Sequence, residues 1–314
     1  MRYPDIFFTP EYLKLFEKTG FGGKWDRWQS GNDKRSIIYN YYVRPIPNTE
    51  YFDIVSPYGY SGPLATTEDK KVWSNFVRDF HDACLDNKIV SEFARLHPFI
   101  ENHIELEPNY LFQGNEVYYL DLTQLIHLNS RCRSHIKQAE KAGITITQKL
   151  VPEVFYDLYI RTMERNKAES EYYFKRTFFH DLMELPNAMM FSAELDHRII
   201  ASRIILIHGD YAHDFLAASD YEHGNSSASN LIISEAIKWA KEKGCKIFNL
   251  GGAKSENHAK FKQSFTQLSK PFYTYRKIHN QAVYDEFSKE IQTDYFPAYR
   301  SLGRTLIQSY KDDF

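Results

Sequence analysis

The stretch Asn230–Phe265, NLIISEAIKWAKEKGCKIFNLGGAKSENHAKFKQSF, limits the possible folds more than any other part of the chain. Ile233, Ala236, Ile237 and Ala240 recur at helical spacing, so a helix over Ser229–Lys243 turns one apolar stripe toward a sheet. Gly244 follows where a helix end favours positive φ. Lys246–Leu250 reads as a buried strand, and Gly251-Gly252 as a turn that admits close approach of a ligand or another backbone. A short helix over Asn257–Phe265 then sets Lys262 between two aromatics, Phe261 and Phe265. A helix running straight into a buried strand calls for a helix-covered sheet.

The rest of the chain extends this pattern. Strands are expected at Ser36–Arg44, Phe52–Ser56, Ile89–Leu96 and Val117–Leu122, with a helix over Glu68–Asn87. A connecting helix, Asn129–Ala142, stops at Gly143. Helices at Pro152–Asn166 and Phe174–Glu184 precede strands at Ala188–Leu195, Arg198–Ile207 and Tyr211–Ser219, the first two joined by a turn at Asp196-His197. A strand at Phe272–Ile278 and C-terminal helices close the chain. The class is α+β, with mixed, mostly antiparallel sheets flanked by helices. The 314 residues suit two domains, expected as 1–143 and 144–314 with the second carrying the acyl-donor chemistry discussed below.

Charge narrows the partners. Lys+Arg 39 against Asp+Glu 41 provides no global field for nucleic acid or an anionic membrane. Cys84, Cys132 and Cys245 are scattered, so neither a disulfide framework nor a metal site is expected. The N-terminal sequence lacks a basic-then-apolar leader and no apolar run approaches the ~18 residues of a membrane span, so a cytoplasmic location is expected.

Ser226, Ser227, Ser229 and Asn230 open the central helix, with Ser229 or Asn230 as its cap, and a helix start attracts phosphate. Any capped helix shares these features. Gly251 and Gly252 are candidates for contacting the same donor, and Lys262 for binding phosphate or stabilising developing negative charge. His213, Asp214 and Asp220 flank one strand and are candidates for the general base, histidine being favoured by its ordinary pKa. Buried histidines are more often packing residues. Tyr58 and Tyr60, in SPYGYSGP, are set to present aromatic rings to a polar substrate or to pack a turn. Arg131, Arg133, Lys137 and Lys141 make the connecting helix basic, which suits solvent or a polyanion.

Several segments together resemble the FemAB-like, or BioF2-like, branch of the GNAT acyltransferase superfamily. They are SPYGYSGPL, EFARLHP, SRCRSHIKQAEKAGI, YIRTMERNKAESEYYF, NLIISEAIKWAKEKG, FNLGGA and KFKQSF, in the family's order across most of the chain. The resemblance implies two tandem GNAT-like domains and transfer of an activated acyl group to an amine. It places an acyl-CoA pyrophosphate at Ser226–Asn230, makes Lys262 the lysine of the family's Phe-Lys pair, and puts Arg165, Tyr172 and Tyr173 on the acceptor groove. The entry loop lacks the Arg/Gln-x-x-Gly-x-Gly/Ala pattern, and the coiled-coil insertion of some cross-bridge enzymes has no counterpart. The leading expectation is an acetyl-CoA-dependent N-acetyltransferase acting on an amine of a sugar-nucleotide or other cell-envelope precursor. The alternatives are an aminoacyl-tRNA-dependent transferase acting on a peptidoglycan precursor, and a degenerate GNAT-like binding module.

Overall fold

The computed structural model describes residues 3–17, 23–32, 34–169, 172–222 and 227–301. In chain order their main elements are α1 (Pro10–Glu17), β1 (Lys24–Gly31), β2 (Ser36–Pro45), β3 (Phe52–Val55), β4 (Leu64–Ala65), α2 (Lys70–Asp86), β5 (Ile89–Arg95) and β6 (Leu111–Asp121). They continue with α3 (Ser130–Lys141), β7 (Thr145–Thr147), α4 (Pro152–Arg165), α5 (Arg176–Met183), β8 (Ala188–Leu195), β9 (Arg198–His208) and β10 (Tyr211–Ser219). The last are α6 (Ala228–Glu242), β11 (Ile247–Gly252), α7 (Glu256–Gln263), β12 (Ser269–Ile278) and α8 (Gln281–Phe287).

Two compact units are interleaved in sequence, which corrects the expected division at 143/144. The first comprises Asn115–Pro271 together with the described residues up to Leu15; the second comprises Phe16–Gly114 and the described residues from Phe272. Gly143 is a helix terminator and no more. At φ +80° it follows α3, its N–H reaches the Glu140 carbonyl, and the Ile144 N–H reaches Ala139. Gly244, at φ +83°, ends α6 with the same pair of bonds, to Lys241 and Ala240.

In the first unit the strand order is β6-β11-β10-β9-β8-β7. β8, β9 and β10 form an antiparallel meander whose β8–β9 turn, Asp196-His197, has both residues at positive φ. β10 and β11 are parallel and therefore need a crossover, which α6 supplies. Ile232, Ile233, Ala236, Ile237 and Ala240 bury the α6 stripe against Phe248, Leu250 and Phe191. Each large aliphatic chain so buried contributes about 1.5–3 kcal/mol.

The parallel ladder holds only over Tyr211↔Ile247, Ala212↔Phe248 and His213↔Asn249. Beyond it β10 shifts register against β9 between Asp214 and Leu216, and β11 shifts against β6 between Asn249 and Gly251. Two bulges at one level part the strands and redirect the side chains beside the gap.

In the second unit the order is β1-β2-β3-β5-β12, with β4 on β2. The parallel pair β3–β5 is again bridged by a helix, α2, which packs Trp73, Phe76, Phe80 and Cys84 onto Tyr39, Tyr41 and Ile54. Both units thus contain an antiparallel pair, a helical crossover to a parallel strand and an antiparallel partner beyond it. β1, KWDRWQSG, is absent from the sequence-based assignment because its pattern is polar on both faces.

Phe248 is fully buried at the centre of β11. Phe248→Ala is expected to lower unfolding stability by roughly 3–5 kcal/mol. Leu125→Ser, at a side chain 77% exposed, is expected to change it by less than ~0.5 kcal/mol in the same urea titration.

Candidate active site

Lys262 projects from α7 and is 5% exposed, with its Nζ beside the gap between β10 and β11. The ammonium donates to the Leu250 carbonyl and, at 2.6 Å, to the Gly252 carbonyl. These oxygens bracket the β11 bulge, where Gly251 adopts φ +74°. A Cβ on Gly251 would lie 3.5 Å from Lys262 Nζ, so both the backbone angle and the lysine favour glycine there. An ammonium has three donors, and the carbonyls occupy two. Desolvation pushes the Lys262 pKa down to about 8, against an attraction to Asp214 and reinforced by Arg203.

A buried chain of hydrogen bonds fixes the bulge. Asn249 Oδ1 accepts the Gly251 N–H at 2.8 Å, which turns the Asn249 amide nitrogen toward His213 Nδ1 at 3.1 Å. His213 Nδ1 is therefore the acceptor, and Nε2–H points to Asp5 Oδ2 at 2.7 Å. Asp5 caps the short N-terminal helical turn through Oδ1 and the Phe7 N–H, and the Phe7 ring stands edge-on to His213. Asp5, His213 and Asn249 are respectively 0%, 3% and 3% exposed. His213 thus has both ring nitrogens engaged in the interior, and this geometry suits a support for the bulge in place of the proton acceptor expected from sequence.

Asp214 faces Arg203 on β9 in a buried ion pair, and Arg203 also lies over the Phe261 ring at 5.7 Å. Among the described residues Asp214 Oδ1 and Arg203 Nε have no hydrogen-bond partner. Asp214 is therefore a fixed anion beside Lys262. Asp220 is likewise committed, to Arg198 at 2.8 Å. His258, four residues before Lys262 on α7, joins this group. Its partly desolvated ring and the neighbouring Lys262 and Arg203 charges lower its pKa to about 4. Arg203, His258, Asn249 and Asp5 escaped the sequence reading. Only His258 carried a local signal, its i, i+4 spacing to Lys262.

Of the helix-opening residues, Ser226 lies outside the described residues. The cap position is Ser227, not Ser229 or Asn230, and its side chain makes no capping bond. Ser227 Oγ instead meets His135 Nδ1 at 3.1 Å and Gln138 Oε1 at 3.3 Å, both on α3. The Asn230 amide turns inward to Cys132 Sγ at 3.6 Å, and Ser229 is half-buried. Ser227 and Asn230 therefore spend their side chains holding α6 to α3, which leaves backbone groups as the polar offering of this helix start.

Arg165 ends α4, donates to the Ser219 carbonyl at 3.4 Å and covers the Tyr221 ring at 4.9 Å. The segment after it reaches the exit of β11, where Lys254 Nζ lies 3.9 Å from the Tyr172 ring centre. Tyr173 is half-buried, and burial followed by Glu164 raises its pKa. Tyr58 and Tyr60 belong to the second unit, where Tyr58 is half-buried and Tyr60 is buried edge-on against His97 at 5.0 Å.

A mixed sheet split beside a helical crossover, with a buried cation at the split, defines an acyltransferase-type domain. Residues 128–263 match the family described as acetyltransferase (GNAT) domain. The chain as a whole has the fold of the FemAB-like branch of that superfamily. FemX superposes with a TM-score of 0.68 at 13% identity over 90% of this chain and 94% of its own. The C-terminal domain of a putative lysylphosphatidylglycerol synthetase from Agrobacterium fabrum gives 0.57 at 15% identity, covering 90% and 88%. L-PGS from Bacillus licheniformis gives 0.57 at 15%, covering 87% and 93%. No curated protein sequence matches the chain.

The charge on Lys262 has a definite pH signature. Its folded pKa lies below the ordinary 10.5, so the unfolded chain binds more protons between about pH 8 and 10.5, and stability from this group rises with pH across that window. Below pH 8 the burial penalty is complete. The stability difference between wild type and Lys262→Met is therefore expected to move in favour of wild type by up to about 3 kcal/mol on going from pH 7.5 to pH 10.5. Urea unfolding at a series of pH values measures this, and a pH-independent difference would show that the lysine titrates normally.

Proposed function

We propose that this chain is an N-acyltransferase that moves an aminoacyl group from its ester on tRNA to an amine of a cell-envelope precursor. The observation that carries the acyl-transfer reading is the Lys262 ammonium, held by two carbonyls beside the split sheet with one donor left to offer. The amine nitrogen attacks the acyl carbon, a C–N bond forms, the C–O bond to the ribose breaks, and the leaving oxygen takes the proton that the amine loses. Lys262 stabilises the negative charge that develops on oxygen during this exchange. Arg203 and Asp214, locked to each other, hold its surroundings fixed.

Two features favour the aminoacyl donor. Ser227 and Asn230 turn their side chains into the α3–α6 contact, and the entry loop lacks the glycine pattern of CoA-binding relatives. The similar folds include FemX and proteins named for lysylphosphatidylglycerol synthesis. The FemAB-like resemblance carries the same implication, with Arg165, Tyr172 and Tyr173 on the acceptor side. A second reading, acetyl transfer from acetyl-CoA to an amino-sugar precursor, is favoured by the GNAT family match over 128–263.

Mass spectrometry of an amine-bearing precursor incubated with charged tRNA or with acetyl-CoA distinguishes the two donors. An aminoacyl adduct only with charged tRNA is expected. An acetyl adduct only with acetyl-CoA would establish the second reading, and product from neither would leave a binding module. Lys262→Ala is expected to reduce turnover by about 10²–10³ while substrate binding holds, and unchanged turnover would remove Lys262 from the mechanism.

A further inference from the structure

A cavity of about 620 Å³ lies wholly within the second unit, between the inner face of β1–β2–β3 and the C-terminal half of α2. Small-molecule sites span about 300–1,000 Å³. Lys24, Asp26 and Trp28 stand opposite Val43, Tyr41 and Tyr39 in the β1–β2 register, so these side chains share the face turned toward α2. The wall is aromatic: Trp28 and Tyr41 lie 5.8 Å and 5.4 Å from the Phe80 ring of α2. The rim is charged. Burial and then Asp26 raise the Tyr41 pKa, which places the carboxylate beside that hydroxyl.

The buried Trp28 indole N–H has no hydrogen-bond partner among the described residues. Leaving a buried donor unpaired costs about 1–3 kcal/mol, so an acceptor brought in by a ligand would find a ready gain. Charges that point inward from an edge strand also deter sheet-to-sheet association. That role accounts for Lys24 and Asp26, but it accounts neither for the volume nor for the orphaned indole.

The lining selects among ligand classes. Asp26 disfavours an anion, and Lys24 with Arg27 disfavours a cation. A carboxylate needs donors, while the ammonium and indole need acceptors. Flat aromatic walls want an apolar face. An uncharged ring with hydroxyls around its edge and C–H groups on its face meets all three demands. We propose that this cavity binds a pyranose sugar ring, stacked on the Trp28–Phe80 wall with its hydroxyls shared between Asp26, Lys24 and the Trp28 N–H. The site goes beyond the acyl-transfer reading and does not depend on it.

Titration of the full chain with methyl β-glucopyranoside and with N-acetylglucosamine, followed by calorimetry and tryptophan fluorescence, tests this. Saturable binding of at least one sugar in the millimolar range is expected. Asp26→Asn should weaken it roughly tenfold, equivalent to about 1.4 kcal/mol. Trp28→Phe keeps an aromatic face but loses the donor, and should weaken it by about 2–10-fold. Asp26 is exposed, so its variant remains informative should Trp28→Phe compromise folding. Failure of both sugars to bind, equal affinity in Asp26→Asn, or tighter binding of indole or glutamate than of either sugar would each overturn the proposal.

Discussion

The first unit depends on keeping one ammonium charged inside protein. Removing Lys262 from water costs several kcal/mol unless its donors are met, and the fold meets them with backbone carbonyls. Two carbonyls two residues apart in an undistorted strand point to opposite sides. The intervening bulge with Gly251 at positive φ turns Leu250 and Gly252 to one ammonium. Asn249 holds that turn by its carbonyl oxygen, His213 orients Asn249, and Asp5 orients His213. The lysine on α7 is thereby tied to the first described residues of the chain through four side chains, all nearly excluded from water.

This arrangement explains why some of the architecture was legible in sequence and some was not. Periodicity located the helices and strands of the first unit closely, and Gly143, Gly244 and Asp196-His197 fall where their backbone angles require them. These signals are local. The Asp5–His213 contact spans 208 positions, and nothing around Asp5 marks it as a partner of a strand histidine. The interleaved units are hidden for the same reason, because β6 and β12 each carry the chain from one unit into the other without a break in pattern. A helix stop such as Gly143 is easily taken for a boundary when only local structure is visible.

The site residues divide in the same way. Lys262 and the glycine pair were legible because a lysine beside a strand-end turn has chemistry in its neighbours. His213 and Asp214 were found as residue types, but their roles rest on what faces them. His213 is closed by Asp5 and Asn249, and Asp214 by Arg203. The serines at the α6 start suggest a phosphate cradle, yet Ser227 and Asn230 answer the needs of the α3–α6 packing. A polar residue near a helix start has several unmet backbone groups and several neighbours to choose from, and sequence does not show which neighbour is nearer.

Acyl transfer to an amine imposes opposite demands on two nitrogens. The acceptor must lose its proton to attack, whereas Lys262 must keep its own to stabilise the developing oxyanion. An ordinary alkyl amine and an ordinary lysine both titrate near pH 10.4, so in water the conditions that free the first also discharge the second. Burial makes this conflict sharper by bringing Lys262 down to about 8. Near neutral pH the lysine remains largely charged, so the acceptor's own pKa must be lowered by its binding surroundings for both conditions to hold together. The Arg165–Tyr221 and Lys254–Tyr172 contacts place cations around the segment assigned to the acceptor, and a nearby cation disfavours a protonated amine. The positive charges at the split therefore have two compatible effects, stabilising the oxygen that gains charge and discharging the nitrogen that must attack it.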